Sequence, residues 1–299
     1  MNNEEKQNIC IIAGPTAVGK SDISIKVAKA LCGEIISADS AQVYKYMDIG
    51  TAKLKNEEMQ GIRHYMIDEV YPDEKFSAAV FRERALPYID DISERGNLPI
   101  IVGGTGLYIK SLLDNFIFTG SDEKYRKELR DMALERGNEY VHDMLKDVDI
   151  ISYEKLHPYN LKRIIRALEV YKQTGKPITY FQEESKRKPS KFNLAYICLN
   201  MDREKIYKRI NERVDLMVAD GLIEEVEGLL YKGYDRKSTS LQALGYKEII
   251  YYLVGEMNKE EAIELLKKNT RNYAKRQLTW FKGDERVFWV NVEGYRNKE

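Results

Sequence analysis

The chain has 299 residues, 43% of them hydrophobic and 32% charged, and its 48 Lys and Arg balance 48 Asp and Glu to a formal net charge of zero. That is enough chain for a substantial core, and it excludes a global field drawing the protein to nucleic acid or membrane, so an RNA site requires a local basic patch. Cys10, Cys32 and Cys198 are isolated, which excludes a disulfide framework and a zinc ribbon and suits a reducing compartment. The stretch Met1 to Gln7 is polar and no apolar run reaches the length of a membrane span, so a cytoplasmic protein with no membrane partner is expected; a monomer is expected as well.

In chain order, Ile9-Cys10-Ile11-Ile12-Ala13 reads as a buried strand and Ser21 to Leu31 as a helix with Ile23, Val27, Ala30 and Leu31 apolar. Between them, Gly14-Pro15-Thr16-Ala17-Val18-Gly19-Lys20-Ser21 places Lys and Ser directly after the second of two glycines. This is the P-loop pattern in its strand, turn and helix context. Glycines let successive N–H groups turn around a phosphate, and the helix adds the positive end of its dipole. Lys20 is then expected to meet phosphate oxygens and Ser21 to ligate Mg²⁺. The loop predicts a bound di- or triphosphate and leaves open what the phosphates are attached to.

Glu34 to Ser40 reads as a second strand with a polar tip. In open α/β sheets the C-terminal strand ends carry the chemistry, which brings Asp39 beside the P-loop; spacing alone serves a turn cap equally well. A polar loop runs on through Gly50-Thr51-Ala52-Lys53, and His64 to Asp68 forms a short strand in which His64 has a structural role. Phe76 to Arg95 is a helix started by Ser77 and closed by Gly96. Leu98 to Val102 is a further apolar strand, ending in Gly103-Gly104-Thr105-Gly106-Leu107-Tyr108. Three polar or glycine-rich strand ends of one parallel sheet converge.

From Thr119 to Lys188 no strand candidate appears and charged helical stretches dominate. His157-Pro158-Tyr159-Asn160 leads into a helix from Leu161 to Gln173, with Leu161, Ile164, Ile165 and Leu168 inward and Lys162, Arg163 and Arg166 outward. By itself such a basic face is a solvated surface. Asn193 to Leu199 returns to strand, and Asp202 caps the next helix. There Arg209 and Arg213 share a face, aimed away from Ile206, Ile210 and Met217, which suits a phosphate clamp. In the last helix Ala274, Leu278 and Phe281 form the core stripe, while Arg271, Lys275 and Lys282 line one side and Tyr273 and Trp280 another. Basic residues interleaved with aromatics suit single-stranded nucleic acid. Val287 to Val292 is the final strand. The expected fold is α/β, a P-loop NTPase-like three-layer core with a parallel sheet (residues 1–118 and 189–299) carrying a helical insertion domain (residues 119–188).

The P-loop, Asp39-Ser40-Ala41-Gln42-Val43-Tyr44-Lys45, Gly50-Thr51-Ala52-Lys53, Gly103 to Tyr108, His157-Pro158 with Arg163-Ile164 and Arg166-Ala167-Leu168-Glu169-Val170, and Ala274-Lys275-Arg276-Gln277 with Thr279-Trp280-Phe281 together resemble the bacterial tRNA dimethylallyltransferase (tRNA isopentenyltransferase) family from the P-loop to Lys282. His64-Tyr65 stands where paired histidines are expected, and Ser21 replaces a common Thr. The resemblance implies transfer of a dimethylallyl group from dimethylallyl diphosphate to N6 of the adenosine 3′ of the anticodon, in tRNAs reading codons that begin with U. It implies catalytic Asp39, Thr105 and Arg213. A diphosphate site is implied at Gly14, Thr16, Ala17, Val18, Gly19, Lys20, Ser21 and Arg209. The anticodon stem-loop is expected to contact Asp39, Ser40, Ala41, Gln42, Thr105, Arg126, Lys162, Arg163, Arg166, Lys275, Arg276, Gln277, Trp280 and Lys282.

Two other readings use the same residues. A small-molecule kinase would hold ATP on the P-loop with Asp39 activating a hydroxyl, but it leaves the basic, aromatic last helix without a task. An RNA-binding module with a regulatory nucleotide would need Asp39 to be only a cap.

Overall fold

The computed structural model describes residues 6–187 and 190–294. Its elements in order are β1 (Gln7–Ala13), α1 (Lys20–Ala30), β2 (Gly33–Ser37), β3 (His64–Tyr65), α2 (Ala78–Glu94), β4 (Leu98–Gly103) and α3 (Gly106–Leu113). Five helices follow: α4 (Glu123–Arg136), α5 (Asn138–Asp143), α6 (Ile150–Lys155), α7 (Leu161–Thr174) and α8 (Ile178–Arg187). The chain then gives β5 (Phe192–Asn200), α9 (Arg203–Ala219), α10 (Leu222–Tyr231), α11 (Tyr246–Leu253), α12 (Lys259–Lys282) and β6 (Phe288–Asn291).

The near-continuous apolar runs expected of strands covered on both faces form one parallel sheet of six strands, ordered β3-β2-β4-β1-β5-β6. Residues alternate between its faces. Cys10, Ile12, Ile35 and Ile100 pack with Ile25 and Ala28 of α1, Ile206 and Ile210 of α9, and Ala274 of α12. Ile11, Ile36 and Ile101, equally buried, point the other way, and α2 packs on β2 and β4. Because β1 lies between β4 and β5, the chain leaves β1 to one side for β2 and later to the other for β5. The crevice at the strand ends therefore opens where the order reverses.

The chain divides into two compact units, residues 1–112 with 191–299 and residues 113–190. Among the described residues the smaller has helices and no strand, around Leu129, Ala133, Val141, Leu145, Ile164, Ile165 and Leu168. Its edges differ from the expected 119–188; the expected boundary at Lys188 lies outside the described residues.

Local signals explain the boundaries. Ser77 Oγ accepts from Val80 N at the start of α2, Asp202 Oδ1 accepts from Glu204 N at the start of α9, and Gly175 ends α7 in the left-handed region. In α12 the buried stripe is Ala274, Gln277 and Phe281, while Leu278 is only half-buried. The polar Gln277 takes the inner position because its amide has two backbone partners there, described below. Among the described residues, no helix is long and apolar enough to cross a membrane.

Candidate active site

At the end of β1 the chain turns through Gly14, whose φ is +149° and where a Cβ would stand 2.8 Å from the Leu199 carbonyl. Ala17 at φ +64° and Gly19 at φ +99° complete a turn in conformations that L side chains rarely adopt. Gly19 is also the N-cap of α1 and supplies no side-chain cap, so the first N–H groups of that helix face the turn as anion donors. Lys20 folds back over the loop, its Nζ donating to the Gly14 carbonyl at 3.1 Å and the Pro15 carbonyl at 3.0 Å. Burial pulls the Lys20 ammonium down to about 8; Asp39 opposes this and Arg213 adds to it. A charge held at that cost is primed for an anion.

The ends of β2 and β4 are joined directly. Ala38 N donates to the Val102 carbonyl at 2.7 Å and Thr105 N to the Ala38 carbonyl at 3.2 Å. A Cβ on Gly103 would lie 2.2 Å from that carbonyl, so only glycine permits the approach. Thr105 Oγ1 accepts from Ser40 N at 3.1 Å. Asp39 Oδ1 accepts from Ala41 N at 2.9 Å and Gln42 N at 3.4 Å. Asp39 is thus a turn cap through one oxygen, and the same carboxylate also lines the cavity described next.

That cavity, of about 880 Å³, is lined by Thr16, Ala17, Gly19, Lys20 and Ser21 of the P-loop, by Asp39 and Gln42, by Thr51 to Lys53, by Arg213 and Met217 of α9, and by Tyr273 and Gln277 of α12. Residues 261 positions apart meet at its floor, where Gln277 Oε1 accepts from Thr16 N at 2.9 Å. Burial lowers the pKa of Arg213, nearby Arg209 lowers it further, and Asp22 opposes both. Burial and the Asp39 charge push the Tyr273 phenol up to about 12, so it remains a hydrogen-bond donor at neutral pH.

The expected residues separate by location; Ser40, Ala41 and Thr105 belong to the strand-end turn described above. Thr16, Ala17, Gly19, Lys20 and Ser21 of the P-loop meet Asp39, Gln42, Arg213 and Gln277 in one cavity, while Gly14 is not on its lining and Val18 is buried in the core. Arg209 instead lines a separate hollow of about 300 Å³ with Lys205, Lys208, Glu212 and Glu293. Met217 lies beside Arg213 in the cavity, and Val214 takes the buried position below it. Lys275, Arg276 and Lys282 are exposed on α12, and Lys162 and Arg163 on α7. Trp280 is 42% exposed and lies over Gly106, where a Cβ would come within 2.1 Å of its ring.

Arg126 and Arg166 differ from that exposed group. Both bind Glu169, whose side chain is fully buried, at 2.8 Å and 2.6 Å. Arg166 also donates to the carbonyls of Thr119 and Gly120. Burial opposes the Glu169 charge, yet bonds from Arg126, the Asp122 N–H and Arg166 hold its carboxyl below the ordinary range. Gln277 is likewise buried and bonded at both ends. These three side chains have structural partners that a face pattern does not reveal.

Two contributors escaped the sequence pattern. Tyr273 reads as an aromatic for RNA but lines the cavity. Lys53, with its side chain only 6% exposed, donates to Asp48 at 2.5 Å, Asp68 at 2.6 Å and the Tyr44 carbonyl at 3.0 Å, fixing the loop that forms one wall. Two of its partners lie in its own irregular loop and one, Asp68, beyond it, and no helical or strand spacing announces them.

Residues 42–284 match the model of the family described as IPP transferase. The chain is 54% identical over 294 residues, 98% of its length and 94% of the relative's, to a tRNA dimethylallyltransferase from Acetivibrio thermocellus. Among solved structures it is similar to the full-length tRNA isopentenylpyrophosphate transferase of Bacillus halodurans, at 46% identity and a TM-score of 0.71 over 96% of this chain and 90% of that one. It is also similar to a eukaryotic dimethylallyltransferase acting on tRNA, at 31% identity and a TM-score of 0.83 over 97% of this chain and 75% of that one. With the family model matched over residues 42–284 and a relative 54% identical over 98% of its length, the chain belongs to the IPP transferase family.

Proposed function

We propose that this chain transfers a dimethylallyl group from dimethylallyl diphosphate to N6 of the adenosine 3′ of the anticodon in tRNAs reading codons that begin with U, releasing diphosphate. The observation that carries this reading is the single cavity holding a phosphate-binding turn, two half-buried cations, Lys20 and Arg213, and a carboxylate. The P-loop then grips a leaving group and no nucleotide.

An allylic carbon bears positive charge as its bond to diphosphate breaks, so the protein's main task is to stabilise the departing negative charge. The N–H groups at the end of the turn, from Ala17 to Ser21, with the Lys20 and Arg213 side chains, are in place for that charge before it forms. The adenine amine is a weak nucleophile because its lone pair is delocalised into the ring. Asp39 takes its proton as the new bond forms, and Thr105 holds the Asp39 turn against the β4 end. The target base leaves its stack to enter the cavity, at a cost of about a few kcal/mol.

Mg²⁺ fits this donor set. Ser21 offers one hydroxyl oxygen, and among the described residues no cluster of three or more His, Cys, Asp or Glu builds a protein cage. That is the arrangement for an ion held mostly by substrate phosphate and water. When bound, it supplies further neutralisation of the diphosphate charge. Lys162, Arg163, Lys275, Arg276, Trp280 and Lys282 contact the anticodon arm, charge meeting phosphates and the indole a base. The protein acts as a cytoplasmic monomer.

Measuring inorganic pyrophosphate tests the reading. With Mg²⁺, donor and an anticodon stem-loop, pyrophosphate release is expected to match the amount of RNA modified. Release at the same rate without RNA would contradict it.

A further inference from the structure

The loop that forms the cavity wall opposite the P-loop is held from behind by a carboxylate outside the cavity. Glu225 Oε2 accepts from Asp48 N at 2.9 Å and Ile49 N at 2.8 Å, and Oε1 accepts from Gly50 N at 3.1 Å and the Tyr246 hydroxyl at 2.6 Å. Four donors converge on one side chain, which only a carboxylate satisfies; a glutamine would turn N–H groups toward N–H groups. Tyr246 is fully buried, and its ring lies so close to Gly50 that a Cβ there would stand 2.6 Å from it. Burial first, and then the Glu225 charge, push its phenol up, so it stays a donor.

From that latch the contacts run inward. Thr51 and Ala52, next along the loop, line the cavity, and their carbonyls accept from Gln42 Nε2 at 3.2 Å and 3.4 Å. Gln42 Oε1 accepts from Ser37 Oγ at 3.1 Å, and Gln42 N donates to Asp39 Oδ1. Ala52 is held at φ +51°, a conformation that persists only where its surroundings impose it. The P-loop has separate supports in the Lys20 and Gln277 bonds.

We infer that Glu225, with Tyr246, is a positioning residue for the transfer reaction: it fixes the Asp48–Gly50 loop and, through Thr51, Ala52 and Gln42, the orientation of Asp39. This rests on the transfer reading proposed above. Glu225 and Tyr246 do not themselves line the cavity that holds the P-loop, so their loss is expected to affect turnover and leave phosphate binding intact.

The test compares parent, Glu225→Gln and Tyr246→Phe in kcat at saturating donor and RNA, in Kd for Mg²⁺-pyrophosphate, and in amide hydrogen exchange. Glu225→Gln is expected to lower kcat at least tenfold with Kd within twofold. Exchange should quicken across residues 39–53 and stay unchanged across 14–21. Tyr246→Phe, which removes one donor and keeps the ring on Gly50, is expected to give the same pattern at about a threefold fall in kcat. A Glu225→Gln kcat within twofold of the parent overturns the inference, as does parallel loss of pyrophosphate binding. A parent that transfers no dimethylallyl group overturns the transfer reading instead, and unchanged exchange at residues 39–53 in Glu225→Gln then overturns the latch on its own.

Discussion

Gln277 on α12 accepts from the Thr16 N–H at 2.9 Å and donates to the Gly104 carbonyl at 3.0 Å, so one buried amide ties the P-loop to the glycine-rich end of β4. Gly104 has no room for a side chain because a Cβ would lie 2.0 Å from the Gln277 nitrogen. Replacing Gln277 by Leu leaves two backbone groups unpaired, at about 1–3 kcal/mol for each that stays buried. We expect Gln277→Leu to lower the denaturant midpoint and to weaken pyrophosphate binding. A variant with parental stability and affinity would show that the bridge holds nothing.

Asp39 has two tasks that one substitution separates. Asn keeps an oxygen for the Ala41 and Gln42 N–H groups but cannot take up a proton as a base. Asp39→Asn is therefore expected to lower turnover about 10²- to 10⁴-fold with little change in pyrophosphate affinity and in melting temperature. Loss of binding with normal turnover would remove the base from the mechanism.

Lys20 gives a pH dependence with a definite sign. In the free protein, burial lowers its pKa to about 8, so the ammonium loses its proton as pH rises through 8. A bound diphosphate favours the charged form, so binding takes up a proton above that pH and affinity falls as pH rises from 8 to 10. The part of this decline due to Lys20 is the part that Lys20→Met abolishes in a calorimetric titration at several pH values. Parallel curves for the two proteins would contradict the assignment.

The basic residues divide by what they already touch. Lys275 and Arg276 are exposed, and replacing either by Ala is expected to weaken tRNA binding and flatten its salt dependence by about one counterion. Arg166→Ala leaves the fully buried Glu169 with one fewer partner and is expected to unfold the smaller unit more readily, with a cost of up to about 3–5 kcal/mol. Since the Glu169 pKa is depressed in the folded state, the stability from this cluster is present at neutral pH and is lost as pH falls through the folded pKa. A melt of Arg166→Ala like the parent's, with tRNA affinity reduced, would reverse its role.

The sheet was legible because its central strands β1 and β4 are near-continuous apolar runs, and the P-loop because Gly14 and Gly19 stand at fixed spacing with Lys20 and Ser21 directly after. Asp39 was legible only as a strand-end carboxylate, since cap and base share one spacing. Helical periodicity misplaced Gln277 and Leu278, and it could not tell the paired Arg166 from the exposed Arg163. For Gln277 the distinction depends on Thr16 and Gly104, which tertiary structure alone brings into contact; for Arg166 it depends on the burial of Glu169, three residues on, and on the Thr119 and Gly120 carbonyls. Glu225 gave no signal for the same reason, its loop partners lying 175 to 177 residues away.

The most direct measurement is the mass of a tRNA anticodon stem-loop after incubation with the protein, Mg²⁺ and either dimethylallyl diphosphate or ATP. One added dimethylallyl group on the adenosine beside the anticodon is predicted, with the prenyl donor only. Phosphate added from ATP, with no gain from the prenyl donor, would contradict it and assign the P-loop to a nucleotide.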